Sequence, residues 1–457
     1  MRTGTTLRDE MLGRVLRELE VPEHRPDFYA QLHYRLAEAR AARLAEARRR
    51  RHARQARVRW AARAAAVAAL AAAAIVVGLP RTAGPERATA AEIKAKLAAA
   101  LASARSLSGE VVFQGSSYRS AYGWDEPKRW SFAMTERGDL RLKEAGGAND
   151  LAYDAERGVE RSLNTSASVG GEALVAAERR GIAPGPPDPG PSDSLLQRDF
   201  GSVVRALLAA RDPRVTETSY DGRDAWRLEI SVRPNAIVPD LSGDRFVVTV
   251  DRQTGFPLRV VEKKGPDVLD EIRLEELEVD PSLSANEFTV RFPPGAEVLR
   301  TDHGFRRVGL GDVEGLVGYS PLVPAVVPSG YALAEVAVAD EAEPTGTEAA
   351  NPVSKKVVSL SYRRGLDRFV VTTRLRHVPG SSDVWSDPLG TGEGFRDEPE
   401  NVTLAGGALD GVEAELLIVP RNIPHIWALT DDLVVTVAGD LSRAQLVEVA
   451  HALRRQP

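Results

Sequence analysis

Residues 248–265 read VTVDRQTGFPLRVVEKKG, and this stretch decides the fold. Phe246, Val248 and Val250 alternate with Val247 and Thr249, the period of a strand with one face in a core. Asp251-Arg252-Gln253-Thr254-Gly255 then supplies turn residues, and Phe256-Pro257-Leu258-Arg259-Val260 resumes an extended run. Working outward, YDGRDAWRLEI at 220–230 places Trp226, Leu228 and Ile230 on one face, with Arg227 and Glu229 on the other. Nearer the N-terminus, residues 107–113 carry Val111 and Phe113. Residues 129–135 put Trp130, Phe132 and Met134 on one face and Ser131 and Ala133 on the other. AEIKAKLAAALASAR at 91–105 predicts a helix with Ile93, Leu97 and Leu101 as its stripe. Residues 194–211 also read as helical, after a Pro/Gly-rich loop, IAPGPPDPGPSD, at 182–193.

The charge of −5 hides an asymmetry: residues 1–81 hold seventeen Arg, no Lys and eight acids, about +9, leaving about −14 for the rest. Between them Ala64–Pro80 reads AAAVAALAAAAIVVGLP without a charge. With Trp60 and a snorkelling Arg63 this makes a transmembrane helix over 60–80, about 20 residues long. Arg48, Arg49, Arg50, Arg51, Arg54, Arg57 and Arg59 crowd its N-terminal side, so residues 1–59 are expected in the cytoplasm and the C-terminus outside. A cleaved signal peptide is one alternative, since Ala88-Thr89-Ala90 has an A-x-A form, although some 60 residues precede the apolar run; a buried soluble Ala-rich helix is another, although such a helix rarely carries this Arg collar. The arginine run lacks the aromatic interleaving of a nucleic-acid surface, so no nucleic acid is expected as a partner. Attraction to anionic lipid is the simpler reading. Leu7, Met11, Val15 and Leu19 stripe one cytoplasmic helix and Phe28, Leu32 and Leu36 a second; these stripes could dock a protein partner or each other.

No cysteine is present, which excludes disulfides, thiol chemistry and Cys-ligated metal. The seven His fall in no ligand spacing, no G-x-S-x-G elbow occurs, and GLGDVEG at 309–315 lacks the Lys of a phosphate loop. No catalytic residue, metal or cofactor is therefore expected, and no enzymatic role.

A second outer portion follows at 318–456. PLVPAVVPSGYALAEVAV (321–338) leads into a strand; VVSLSY (357–362), RRGLD and RFVVTTRLR (368–376) form a hairpin; ELLIV, IWAL and LVVTVAG supply further strands. Ser442-Arg443-Ala444-Gln445 has the pattern of a capping box opening a last helix with Leu446, Val449 and Leu453 inward.

The order of helix, meandering strands and the phrases YDGRDAWRLEI, VTVDRQTGFPLRVVEKKG and IRLEELEVDPSLSANEFTVRFPPG (272–295) resembles the LolA/RseB superfamily over residues 91–298. The resemblance implies a curved antiparallel half-barrel with helices on a concave apolar face, binding lipoprotein or lipid acyl chains. Trp124, Trp130, Phe132, Met134 and Trp226 are then the candidate lining of an apolar groove. Residues 318–456 resemble the C-terminal domains of RseB-like and anti-sigma-factor-like membrane proteins. The cytoplasmic segment has the topology of bacterial anti-sigma factors, which implies a sigma factor or anti-sigma factor as partner through Leu7, Met11, Val15 and Leu19. The zinc-binding subgroup of these uses two Cys and is excluded. The whole reads as an α+β chain: cytoplasmic helices (1–59), a transmembrane helix (60–80), a LolA/RseB-like half-barrel (91–298) and a small α+β domain (318–456). Its expected function is that of a membrane-anchored extracytoplasmic sensor or regulator, a membrane-tethered lipoprotein or lipid carrier being the alternative.

Overall fold

Alternation in the sequence becomes sheet almost throughout. The computed structural model describes residues 88–116, 118, 125–147, 149–168, 171–182, 200–210, 212–232, 242–339, 356–377, 389, 399–419 and 422–456. The expected cytoplasmic helices with Leu7, Met11, Val15 and Leu19, the expected span at 60–80, and Trp124 lie outside these residues. Among the described residues no helix is long and apolar enough to cross a membrane.

Among the described residues twelve strands form the first sheet: β1 (Ser106–Gly115), β2 (Lys128–Thr135), β3 (Leu140–Glu144), β4 (Asp150–Asp154), β5 (Val159–Ser168), β6 (Gly171–Arg180), β7 (Arg214–Tyr220), β8 (Arg223–Ser231), β9 (Arg245–Asp251), β10 (Pro257–Lys264), β11 (Asp267–Val279) and β12 (Val298–Asp302). Their order is β12-β6-β5-β4-β3-β2-β1-β11-β10-β9-β8-β7. All neighbours are antiparallel except β12, which lies parallel to β6. The turn at 251–255 forms as its residues require: the Asp251 carboxylate accepts from the Gln253 and Thr254 N–H groups at 2.6 and 2.9 Å, and Gly255 takes φ +79°.

Helices α1 (Ala90–Ser103) and α2 (Ser202–Ala209) cover one face of this sheet. Thr89 caps α1 reciprocally: its hydroxyl accepts from the Glu92 N–H and its own N–H donates to the Glu92 carboxylate. Ile93 and Leu97 are fully buried against a row of facing residues that includes Phe113, Ile272, Val260, Val248 and Leu228. One core thus draws on strands from β3 through β1 to β8. A flat sheet of that width could not close on two helices. Register shifts at three successive ladders, β1/β11, β11/β10 and β10/β9, bend it.

The second sheet starts two residues after β12 ends. It comprises β13 (Phe305–Arg307), β15 (Ala332–Ala339), β16 (Val357–Arg364), β17 (Asp367–Leu375), β18 (Glu400–Thr403), β19 (Glu413–Leu417), β20 (His425–Leu429) and β21 (Leu433–Gly439), in the order β13-β15-β16-β17-β21-β20-β19-β18. β14 (Leu322–Pro324) pairs separately with β22 (Leu453–Arg455). Helices α3 (Val313–Val317) and α4 (Arg443–His451) pack on one face, with Leu446, Val449 and Leu453 buried. Ser442 and Gln445 form the full capping box at the start of α4. The described chain is therefore mostly β with few helices, a lower helical share than the α+β expectation, because residues 140–180 add a run of strands rather than helix.

Candidate functional site

Trp130, Phe132 and Trp226 stand on the concave face and enter one cluster, with Met134 packed against it. Their exposures are 6, 4 and 8 %, because α1 and α2 cover the face they line. Lys96 and Arg252 each hold a cation 5.6 Å from the Trp226 ring, closing the rim there. These residues are therefore core under the protein's own helices, and a cavity opens at one end of them.

That space is a cavity of about 120 Å³ where the two sheets meet. Phe132 and Met134 reach its wall; Trp130 and Trp226 do not. The apolar lining is completed by Leu101 at the end of α1, Phe200, Val204 and Leu208 along α2, Phe256 beside the 251–255 turn, and Leu366 from the tip of the β16–β17 hairpin. The hairpin tip docks through its backbone, the Leu366 N–H donating to the Leu101 carbonyl at 3.2 Å.

The far end of the cavity is charged. Arg205 of α2 pairs with Asp440, each with 12 % of its side chain exposed. The other Asp440 carboxylate oxygen accepts from the Arg368 N–H at 2.9 Å, and its carbonyl accepts from the Tyr331 hydroxyl at 2.6 Å. The Arg364 guanidinium donates to Asp367 at 2.7 Å and stacks 4.6 Å above the Tyr331 ring. Burial, reinforced by the nearby Asp440 charge, pushes the Asp367 carboxyl up to about 7 against the pull of Arg364. Burial, with Arg205 as neighbour, brings the Arg368 guanidinium down to about 10. On the same side, Arg307 donates to the Ala155 and Glu156 carbonyls and pairs with Glu335, which also holds Arg363 at 3.2 Å. The contact between the halves is thus polar around an apolar hollow.

Among the described residues no group of acids and histidines could hold a metal ion. His303 and Asp302, adjacent in sequence, take part in a backbone turn, the Asp302 carboxylate accepting from the Gly304 N–H at 2.8 Å. Leu101 was legible as part of the α1 stripe and Leu366 as part of the RRGLD turn. Arg205 and Asp440, 235 positions apart, carry no local signal.

No family model matches the chain, and no curated protein does. Among solved structures, the crystal structure of MucB is 16 % identical, with 82 % of this chain and 100 % of that chain covered and a TM-score of 0.28. The Pseudomonas aeruginosa MucA/MucB complex is 16 % identical over 80 % of this chain and 99 % of that one, with a TM-score of 0.26. A LolA superfamily protein from Nitrosomonas europaea is 12 % identical over 45 % and 99 %, with a TM-score of 0.20.

Proposed function

We propose that this chain is a membrane-anchored extracytoplasmic sensor or regulator that binds a lipid, a lipoprotein or a protein partner where its two sheets meet. The observation that carries the reading is the 120 Å³ junction cavity, apolar along Leu101, Phe132, Met134 and Leu208 and charged at Arg205, Arg368 and Asp440. Such a lining suits an amphipathic guest: an apolar segment in the hollow and a polar group at the charged end. A hollow of this size takes a short apolar segment, so a longer acyl chain enters only as the halves separate. Ligand occupancy and the relation of the two sheets are then coupled, as a sensor requires. The anchor at 60–80 and a cytoplasmic contact to a sigma factor through Leu7, Met11, Val15 and Leu19 complete this reading; they rest on the sequence. Binding, and no catalysis, is the proposed activity.

The test uses the full chain in detergent and a fluorescent fatty-acyl probe. Binding weakened about tenfold or more, ~1.4 kcal/mol, by Met134→Arg and unchanged by the exposed Leu299→Ser supports the junction site. Absence of binding, or equal binding by Met134→Arg, overturns it. Rapid handover of bound probe to acceptor vesicles would instead identify a tethered lipid or lipoprotein carrier.

A further inference from the structure

The opposite, outer face of the first sheet carries a second hollow, of about 160 Å³, near the β7 edge. Its floor is Val247, Val261 and the half-exposed Val268. Its wall is Tyr220 at the end of β7, and its rim is Arg227, Arg259 and Lys263, with the hydroxyls of Thr218 and Thr249 beside them. No carboxylate lines it. The register makes this a place of like charges: Arg259 lies directly opposite Arg273, and Lys263 directly opposite Arg245. Like charges facing each other across strands are destabilising. Neighbouring acids answer most of them. Glu271 takes Arg259 and Arg273 at 2.9 and 3.2 Å, and Glu229 takes Arg227 and Arg245 more loosely at 3.4 and 3.5 Å. Lys263 has no ion-pair partner among the described residues. A register shift between Glu262 and Lys263 sets Lys263 opposite Val268 on this face. The Arg259 guanidinium lies 5.7 Å from the Tyr220 ring, which holds the wall over the hollow.

We infer that this outer hollow is a binding site for a phosphate group, either free or borne on a lipid headgroup. Lysine and arginine converging from two strands, β8 and β10, with hydroxyl donors from β7 and β9 and no acid in the lining, supply what an oxyanion with several acceptor oxygens needs. The valine floor accepts the organic part of an ester. The site is separate from the junction cavity and does not depend on it.

The experiment titrates the purified full chain with inorganic phosphate by calorimetry. A second arm co-sediments it with phosphatidylcholine vesicles with or without phosphatidic acid. Binding in either arm that falls about tenfold, ~1.4 kcal/mol, in Lys263→Gln and returns in Lys263→Arg establishes the site. Signal in the phosphate arm assigns free phosphate; signal only with phosphatidic acid assigns the headgroup. Lys263 makes no ion pair that the fold requires, so Lys263→Gln should stay folded, which its unchanged melting temperature checks. No binding in either arm at millimolar phosphate, or binding unaffected by Lys263→Gln, overturns the inference.

Discussion

Gly365 lies so close to the end of α1 that a Cβ placed on it would stand 2.2 Å from the Ala102 carbonyl oxygen. Its φ of +55° is a conformation that side chains rarely adopt. The tip of the β16–β17 hairpin is therefore pressed into the first half of the molecule at a point where only glycine fits. Gly365→Ala should cost about 1–3 kcal/mol and loosen the Leu366–Leu101 bond. Calorimetry should show a lower melting temperature, and amide exchange at Leu366 should speed up. An unchanged melting temperature would mean that the tip is not held as described.

The raised Asp367 carboxyl gives a signed pH dependence. A carboxyl whose folded-state pKa is about 7, against an unfolded value near 3.9, binds its proton more tightly when folded. Its contribution to stability is full below the unfolded value and is lost as pH rises through the window up to about 7. Asp367→Asn should flatten stability against pH between about 4 and 7 and raise the melting temperature at neutral pH. A variant whose profile parallels that of the wild type would exclude Asp367 as the source.

Trp130 and Phe132 are core residues, so truncating them should cost stability before it costs binding. Trp130→Ala should lose about 3–5 kcal/mol, measured by urea unfolding. A loss of less than ~1 kcal/mol would argue that α1 and α2 do not cover this face in solution.

The outer face also carries a continuous chain of ion pairs. Glu271 holds Arg259 and Arg273; Arg273 holds Glu275 at 3.4 Å; Glu275 holds Arg129 at 2.5 Å, and Arg129 holds Glu110. Burial works to raise the Glu271 carboxyl, but Arg259 and Arg273 outweigh it and leave the pKa below its ordinary value. This contribution is present above the unfolded carboxylate pKa and is lost as pH falls through the folded one. Glu271→Gln should cost about 1 kcal/mol in dilute buffer and less at high salt, because these side chains are partly solvated. A salt-independent cost would point to packing.

Capping gives a smaller expectation. Ser442→Ala removes the acceptor for the Gln445 N–H and should cost about 1 kcal/mol, with Ser442→Asp close to neutral; thermal melts of the two variants decide it.

What could be read in the sequence follows from where each signal lives. The β9–β10 hairpin, the alternation of β8 and the α4 capping box depend on residues near each other in the chain, and all were legible. The strands β3 to β6 were not. LRLKE and DLAYD are short and charged, and VERSLNTSAS spaces Val159, Leu163 and Ala167 four apart among polar residues, so none of the three reads clearly as a strand. The junction cavity needs Leu101, Met134, Leu208, Phe256 and Leu366 brought together from five elements, which no local pattern encodes. The outer hollow depends on strand register: Lys263 faces Arg245 only because of how β9 and β10 align. The aromatic alternation at 130–134 marks the buried face, and the resemblance implies helices over it; alternation alone does not separate an open groove from a face that those helices fill.

The lone parallel strand has a practical consequence. β12 lies beyond residue 298 in the chain yet completes the first sheet, shielding the outer edge of β6. The apolar side chains Leu174 and Val175 are already 44 and 40 % exposed on that strand. A fragment trimmed at 298 would bare the Ala176–Arg180 edge, with open N–H and C=O groups beside the exposed Leu174 and Val175 ready to recruit a second molecule. Truncation there invites oligomers and insolubility, whereas cuts that keep Val298–Asp302 keep the backbone of Ala176–Arg180 paired.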